Sequence, residues 1–276
     1  MKILYYHGGP GFNSNPEKNV LLNRLRESGI ELLLWNEPSL LRPQGQTFKA
    51  QNAFQNYLEC AEQFLLANYS GEPIVLMGHS FGANPVCYLT QRHPEKLARV
   101  IIISSDLSPA DADRNIFQFT MMDFQEFKDE RSLELENILA NYTGKFDANT
   151  ENGFALAAQN PRLFNYYWMN KERMGSFLSF YAEPGFGVDL DSFFGVRRSF
   201  FASNLKNSSV PALAIFGKHD IVISQEKELS LLRQGFSSLE VLQFEESAHY
   251  PHIEETDRFL AILTHELDSL SDQRRN

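Results

Sequence analysis

The segment Gly78-His79-Ser80-Phe81-Gly82 ends the apolar run Ile74 to Met77 and precedes a stretch of helical character. A serine pinned at a sharp strand-to-helix turn is the pattern of a nucleophile elbow. Glycines two residues to either side suit such a turn, because neighbouring backbone leaves no room there for side chains. A serine hydroxyl is a poor nucleophile until a base removes its proton, so Ser80 calls for a histidine and an orienting acid. Asp220 lies in Gly217-Lys218-His219-Asp220, directly after the run Ala212 to Gly217, and His249 lies in Ser247-Ala248-His249-Tyr250-Pro251, just past the run Leu239 to Phe244. All three positions fall at carboxyl ends of expected strands, where open α/β sheets place their sites. Asp106 competes with Asp220 as the acid, and His252 competes with His249 as the base. A glycine-rich loop, His7-Gly8-Gly9-Pro10-Gly11, follows the first expected strand. Acyl transfer builds negative charge on the carbonyl oxygen, and one preorganised N–H donor near it is worth about 3–4 kcal/mol. The expected donors are the N–H groups of Gly9 and Phe81, with Pro10, which has no N–H, shaping the loop.

The elements that must carry these residues are legible from hydrophobic periodicity. Strands are expected over Lys2–His7, Ile30–Trp35, Ile74–Gly78, Ala98–Ser104, Ala212–Gly217 and Leu239–Phe244. Helices are expected over Pro16–Ser28, Thr47–Asn68, from the elbow to about His93, Ser224–Gln234 and Thr256–Leu270, with a frayed end in the last six residues. Alternation of strand and helix indicates a parallel sheet. The alternation stops after Asp106 and resumes at Val210, and the hundred residues between show only helical stretches, among them Leu133–Tyr142 and Gly153–Ala158. The expected division is a core of residues 1–105 and 206–276 with a mostly helical cap or lid inserted over 106–205. Of the chain's 23 phenylalanines, 14 lie between residues 106 and 209, next to the cluster Tyr166-Tyr167-Trp168-Met169. Part of that aromatic content is needed for the insertion's own core, and part could form an apolar pocket facing Ser80.

The chain has 276 residues, 25 Lys plus Arg against 35 Asp plus Glu, and a formal net charge of -10 with no basic stripe, which argues against nucleic acid and anionic membrane as partners. Two cysteines, Cys60 and Cys87, are too few for a disulfide framework and read as buried free thiols. No apolar run approaches the roughly 18 residues of a membrane span and the N-terminus lacks a signal-peptide pattern, so a cytoplasmic protein is expected. His249 and His252 form an HxxH pair, but nothing has zinc-site spacing, and neither a metal nor a cofactor is expected. His79 reads as a packing residue of the elbow, and His93 and His265 as surface residues.

Taken together, HGGPG, GHSFGA, GKHD and HYPHIE resemble the α/β-hydrolase superfamily, and within it the branch containing proline iminopeptidases. In that branch the closing histidine is commonly followed by Pro two residues on and Glu five residues on, as Pro251 and Glu254 are here, which favours His249 over His252. The resemblance covers residues 1–105 and 206–276 and implies an α/β-hydrolase fold: a trimmed, mainly parallel sheet of about six strands, flanked by helices, with a mostly helical cap. It implies a serine hydrolase acting on an ester or amide bond of a small, partly apolar substrate or short peptide, with Ser80 as nucleophile, His249 as base and Asp220 as orienting acid. The chain departs from the branch at Trp35-Asn36-Glu37-Pro38-Ser39-Leu40, where iminopeptidases carry Asp-x-Arg-Gly-x-Gly-x-Ser, and at Ala248, where a glycine is usual. An aminopeptidase of this branch would need carboxylates to hold a substrate ammonium, and the insertion offers Glu126, Glu130, Glu151, Glu172 and Glu183. Two alternatives to the generic hydrolase follow: an iminopeptidase-like aminopeptidase, and a ligand-binding relative with little turnover.

Overall fold

A computed structural model describes residues 2–37, 52–183, 187–202 and 205–273, with residues 271–273 described for backbone only. The strands are β1 (Lys2–Tyr6), β2 (Glu31–Trp35), β3 (Ile74–His79), β4 (Leu97–Ile103), β5 (Ala212–Gly217) and β6 (Leu239–Phe244). They form one sheet in the order β2-β1-β3-β4-β5-β6, and every neighbouring pair is parallel. This is the expected six-stranded parallel sheet. The helices between β1 and β4 are α1 (Asn15–Glu27), α2 (Ala53–Asn68) and α3 (Ala83–Arg92). The part of the expected second helix over residues 47–51 lies outside the described residues, as do Pro38-Ser39-Leu40.

Alternation along the strands sorts the apolar side chains to two faces. Leu4, Tyr6, Leu76, Val100, Ile102 and Ala214 pack with Phe54, Leu58 and Leu65 of α2 and with Val86 and Leu89 of α3. Ile3, Tyr5, Val75, Met77, Ile101 and Ile215 pack on the other face with Leu21 and Leu25 of α1. Burial of both faces explains why β3 and β5 read as continuous apolar runs: all six residues of each are buried.

Between β4 and β5 the chain forms α4 (Pro109–Glu126), α5 (Arg131–Ala140), α6 (Ala148–Ala157), α7 (Lys171–Ser179) and α8 (Leu190–Arg198), with a 3-10 turn at Leu163–Tyr167. After β5 come α9 (Gln225–Gly235), α10 (Pro251–Glu254) and α11 (Thr256–Gln273). The closing helix continues past Leu270, where fraying was expected, and residues 274–276 lie outside the described residues.

Two expectations are corrected. Cys60 is only half-buried, because it sits at the margin of the apolar face of α2, whereas Cys87 is fully buried. His93 is not a bare surface residue: its side chain is 18% exposed and its Nε2 lies 2.6 Å from Glu62 Oε1.

The entry to the inserted helices is tied to the core by Glu228 of α9, a buried side chain. Its carboxyl group accepts from the N–H groups of Leu107 at 3.0 Å and Ser108 at 2.9 Å, just ahead of α4. Burial, reinforced by the charge of Asp106, raises its pKa from 4.5 to about 8. The folded state therefore keeps a proton that the unfolded chain gives up near pH 4.5. The resulting stabilisation is full below that pH and is lost as the pH rises towards 8. Glu17, raised to about 7 by burial, acts in the same direction. Thermal unfolding is expected to show a lower Tm at pH 8 than at pH 6.5, and the gap should shrink in Glu228→Gln. An unchanged gap in that variant would assign the pH dependence elsewhere.

Candidate active site

The close approach of backbone at the turn after β3 explains why glycine flanks Ser80. A Cβ on Gly78 would stand 2.5 Å from the Gly82 carbonyl oxygen, and one on Gly82 would stand 2.3 Å from the carbonyl oxygen of Tyr6 on β1. Ser80 itself has φ 51, in the left-handed region, a conformation that costs a non-glycine residue about 1–3 kcal/mol and persists only where its surroundings impose it. The turn then runs into a short 3-10 segment, Ser80–Gly82, and on into α3. The positive end of that helical run faces the serine.

Three strand ends bring the partners together. Asp220 follows β5 and His249 follows β6; both are buried, at 6% and 2% exposure. His249 Nδ1 lies 2.8 Å from Asp220 Oδ2, and His249 Nε2 lies 2.9 Å from Ser80 Oγ. An ionised carboxylate can only accept, so Nδ1 carries the proton and Nε2 presents its lone pair to the serine hydroxyl. The other carboxylate oxygen of Asp220 accepts from the Val222 N–H at 3.0 Å, which fixes its rotamer. The rivals are placed elsewhere. Asp106 contacts Arg197, and His252 lies in a buried group behind His249.

That group comprises Glu17, His79 and His252, all buried, with one nitrogen or oxygen from each lying within 4.8 Å of the others. His79 packs the elbow as expected, and its Nε2–H donates to the His249 carbonyl oxygen at 2.9 Å. Tyr5 donates to Glu17 Oε1 at 2.8 Å. Burial drives the basicity of His252 down to about 3 and that of His79 well below the usual value, while Glu17 is raised to about 7. Near neutral pH the two imidazoles are thus uncharged, while the Glu17 carboxyl group titrates in that same range. His249 and His252 do not converge on one point: the His249 nitrogens face Asp220 and Ser80, whereas His252 lies with Glu17 and His79.

Ser80 and His249 open onto a cavity of about 440 Å³ that is also lined by Gly8, Gly9 and Phe81. Its wall is apolar: Phe12, Ile116, Phe154, Leu163, Phe164, Phe193, Phe194 and Val222 contribute. Most of these rings, among them Phe154, Phe164, Phe193 and Phe194, come from the aromatic-rich insertion. The glycine loop is held by the segment that departs from the iminopeptidase pattern, since the Gly11 N–H donates to the Glu37 carboxylate and the Ser14 N–H donates to Asn36 Oδ1 at 2.7 Å.

One ionic group interrupts the apolar wall. Arg197 of α8 is buried; its guanidinium contacts Asp113 of α4 closely, lies 3.4 Å from Asp106 Oδ2, and donates to the Pro109 carbonyl oxygen at 3.4 Å. The rings of Phe146, Phe154 and Phe193 surround it at 5.4–5.7 Å. Burial raises Asp113 to about 6 against the opposing pull of Arg197, and raises Asp106 in the same way. Arg197 and Asp113 also border a second cavity of about 640 Å³, which none of Ser80, Asp220 and His249 lines. The five insertion glutamates are not in the cavity wall at Ser80. Glu151 pairs with Arg198, and Glu183 accepts from Asn15. Sequence reasoning missed Arg197 and Asp113 as wall residues. The available signal was an arginine on the apolar face of α8, in register with Phe193 four residues before it.

A family model described as the alpha/beta hydrolase fold matches residues 3–256 of the chain. The chain belongs to the α/β-hydrolase family. Among its relatives, "Probable aminopeptidase YbaC" of Bacillus subtilis (strain 168) is 24% identical over 292 residues, covering 95% of this chain and 87% of that protein. Among solved α/β-hydrolase structures, a proline iminopeptidase-related protein from Thermus thermophilus superposes with a TM-score of 0.68 at 14% identity, covering 98% of this chain and 89% of its own. A monoacylglycerol lipase from Paleococcus ferrophilus superposes with a TM-score of 0.57 at 17% identity, covering 98% and 94%. At such identities the likeness is one of fold. Among the described residues, no helix of this α/β-hydrolase is long and apolar enough to cross a membrane.

Proposed function

We propose that this protein is a serine hydrolase that cleaves an ester or amide bond of a small, partly apolar substrate through an acyl-enzyme. The observation that carries this reading is the unbroken chain of contacts Ser80 Oγ to His249 Nε2 at 2.9 Å and His249 Nδ1 to Asp220 at 2.8 Å, opening on an apolar cavity. His249 takes the Ser80 proton as Oγ adds to the carbonyl carbon, and Asp220 stabilises the imidazolium that forms. The N–H groups of Gly9 and Phe81 receive the oxyanion. His249 then returns the proton to the leaving group, the carbonyl re-forms as that group departs, and water repeats the sequence on the acyl-enzyme. The inserted helices serve as a cap that lends the cavity its aromatic wall, and the chemistry needs neither metal nor cofactor.

An aminopeptidase related to the iminopeptidase branch is the second reading. It is supported by the names of the relatives and by the two carboxylates, Asp106 and Asp113, that face a single guanidinium at the cavity wall. Two acidic groups against one guanidinium leave an acceptor in a low-dielectric wall that a cationic substrate group would satisfy. The assignment is tested by steady-state hydrolysis of short and medium acyl p-nitrophenyl esters and of aminoacyl p-nitroanilides, prolyl included, each beside Ser80→Ala. Serine-dependent ester turnover alone means an esterase; serine-dependent cleavage of free-amine anilides means an aminopeptidase. Turnover of neither, with saturable ligand binding, would replace the hydrolase by a binding protein.

A further inference from the structure

The inserted segment Tyr167–Asn170 and the loop that carries His249 are built into one another. The N–H of His249 donates to the Tyr167 carbonyl oxygen at 3.1 Å. The indole of Trp168 stacks on the ring of Tyr250, with centroids 4.3 Å apart and planes within 11°. At the centre is Glu254, which is 7% exposed and lies on α10, five residues beyond His249. One of its carboxylate oxygens accepts from the Met169 N–H at 2.7 Å and the Asn170 N–H at 2.8 Å. The other accepts from the Ala248 N–H at 2.8 Å, the residue directly before His249. Three backbone donors aimed at one buried carboxylate are charge-assisted hydrogen bonds, stronger than neutral ones and costly to lose.

The consequence for the site is geometric. The peptide groups on either side of His249 are tied to different elements: Ala248 N–H to Glu254, His249 N–H to Tyr167, and His249 C=O to His79. With its backbone held at these points, the imidazole reaches Asp220 and Ser80 together. Two of the three ties run through the inserted segment, about eighty residues distant in sequence.

We propose that Glu254 is a positioning residue for His249, and that residues Tyr167–Asn170 are a fixed strap of the catalytic apparatus rather than a moving part of the cap. The inference rests on the serine-hydrolase reading. It extends that reading to a residue that touches neither substrate nor the reacting atoms. Any opening of the cap must then take place elsewhere in the insertion, since lifting this strap would release the base.

The test compares wild type, Glu254→Gln and Glu254→Ala on the best p-nitrophenyl ester, together with the rate at which a fluorophosphonate probe labels Ser80 and with circular dichroism to establish folding. A base displaced by about 1 Å costs on the order of 100-fold. On that scale kcat should fall about 10-fold in the Gln variant, which keeps one acceptor oxygen, and about 100-fold in the Ala variant. KM should stay within about threefold, and labelling should slow in parallel with kcat. A folded Ala variant with wild-type kcat, or a loss confined to KM, overturns the proposal. If the Ala variant does not fold, a folded Gln variant with wild-type kcat and labelling overturns it equally. Failure of the parent reading looks different: wild type would not be labelled by the probe, and Ser80→Ala would keep its turnover.

Discussion

Replacing Ser80 by alanine is expected to lower kcat by about 10⁵- to 10⁶-fold on every substrate the protein turns over, with the fold intact. The size follows from the role: without Oγ there is no acyl-enzyme, and only the oxyanion donors and binding remain to assist direct attack by water. The fold should survive, because Ser80 Oγ makes its contact with His249 rather than with the core. Alanine in the left-handed conformation at this turn carries the same backbone strain as serine, so unfolding midpoints should be close to wild type. The check is steady-state turnover on purified protein with a fluorophosphonate label as the active-site count. Activity that survives in unlabelled Ser80→Ala protein would remove Ser80 from the nucleophile's role.

Replacing Asp220 by asparagine is expected to lower kcat by about 10⁴-fold with little change in KM. The amide presents N–H where the carboxylate presented a lone pair, so the imidazole is driven to the tautomer that protonates Nε2 and can no longer accept the serine proton. Asp106→Asn separates this role from mere proximity. Asp106 contacts Arg197 and leaves the bond between His249 and Asp220 untouched, so its loss of kcat should be far smaller. Its expected signature is instead on stability and on preference between charged and neutral substrates, since it leaves Arg197 with one carboxylate partner in a buried site. Equal losses in the two variants, or a larger one in Asp106→Asn, would hand the acid's role to Asp106.

The fold was legible because its central strands are buried on both faces and flanked by turn residues, which writes a parallel sheet as short continuous apolar runs. Each expected strand appears within a residue or two of its expected bounds. The grouping of Ser80, Asp220 and His249 was legible for a related reason: each follows a strand, and strand ends converge on one edge of a parallel sheet. The wall of the cavity was less so. The insertion's abundant phenylalanines announced an apolar pocket, but the glutamates suggested as its charged groups lie outside it, and Asp106, Asp113 and Arg197 take that place. Helical segments without a sheet to align them carry no register in their sequence, so which side of α4 or α8 faces Ser80 depends on how the helices cross.

The strap on His249 marks the same division. Pro251 and Glu254 were visible as a spacing, and Tyr167 and Trp168 as an aromatic cluster, yet nothing local connects them. Sequence alone determined the strands, their parallel pairing, the strained serine turn and the order of the chemical groups, because each depends on periodicity and on neighbours a few residues apart. Only the tertiary structure decided that Asp220 rather than Asp106 reaches His249, that His252 turns away from the cavity, and that Glu254 joins Met169 to Ala248, the residue before His249. Those choices are made by contacts between segments that packing brings together, and spacing along the chain does not select the partners.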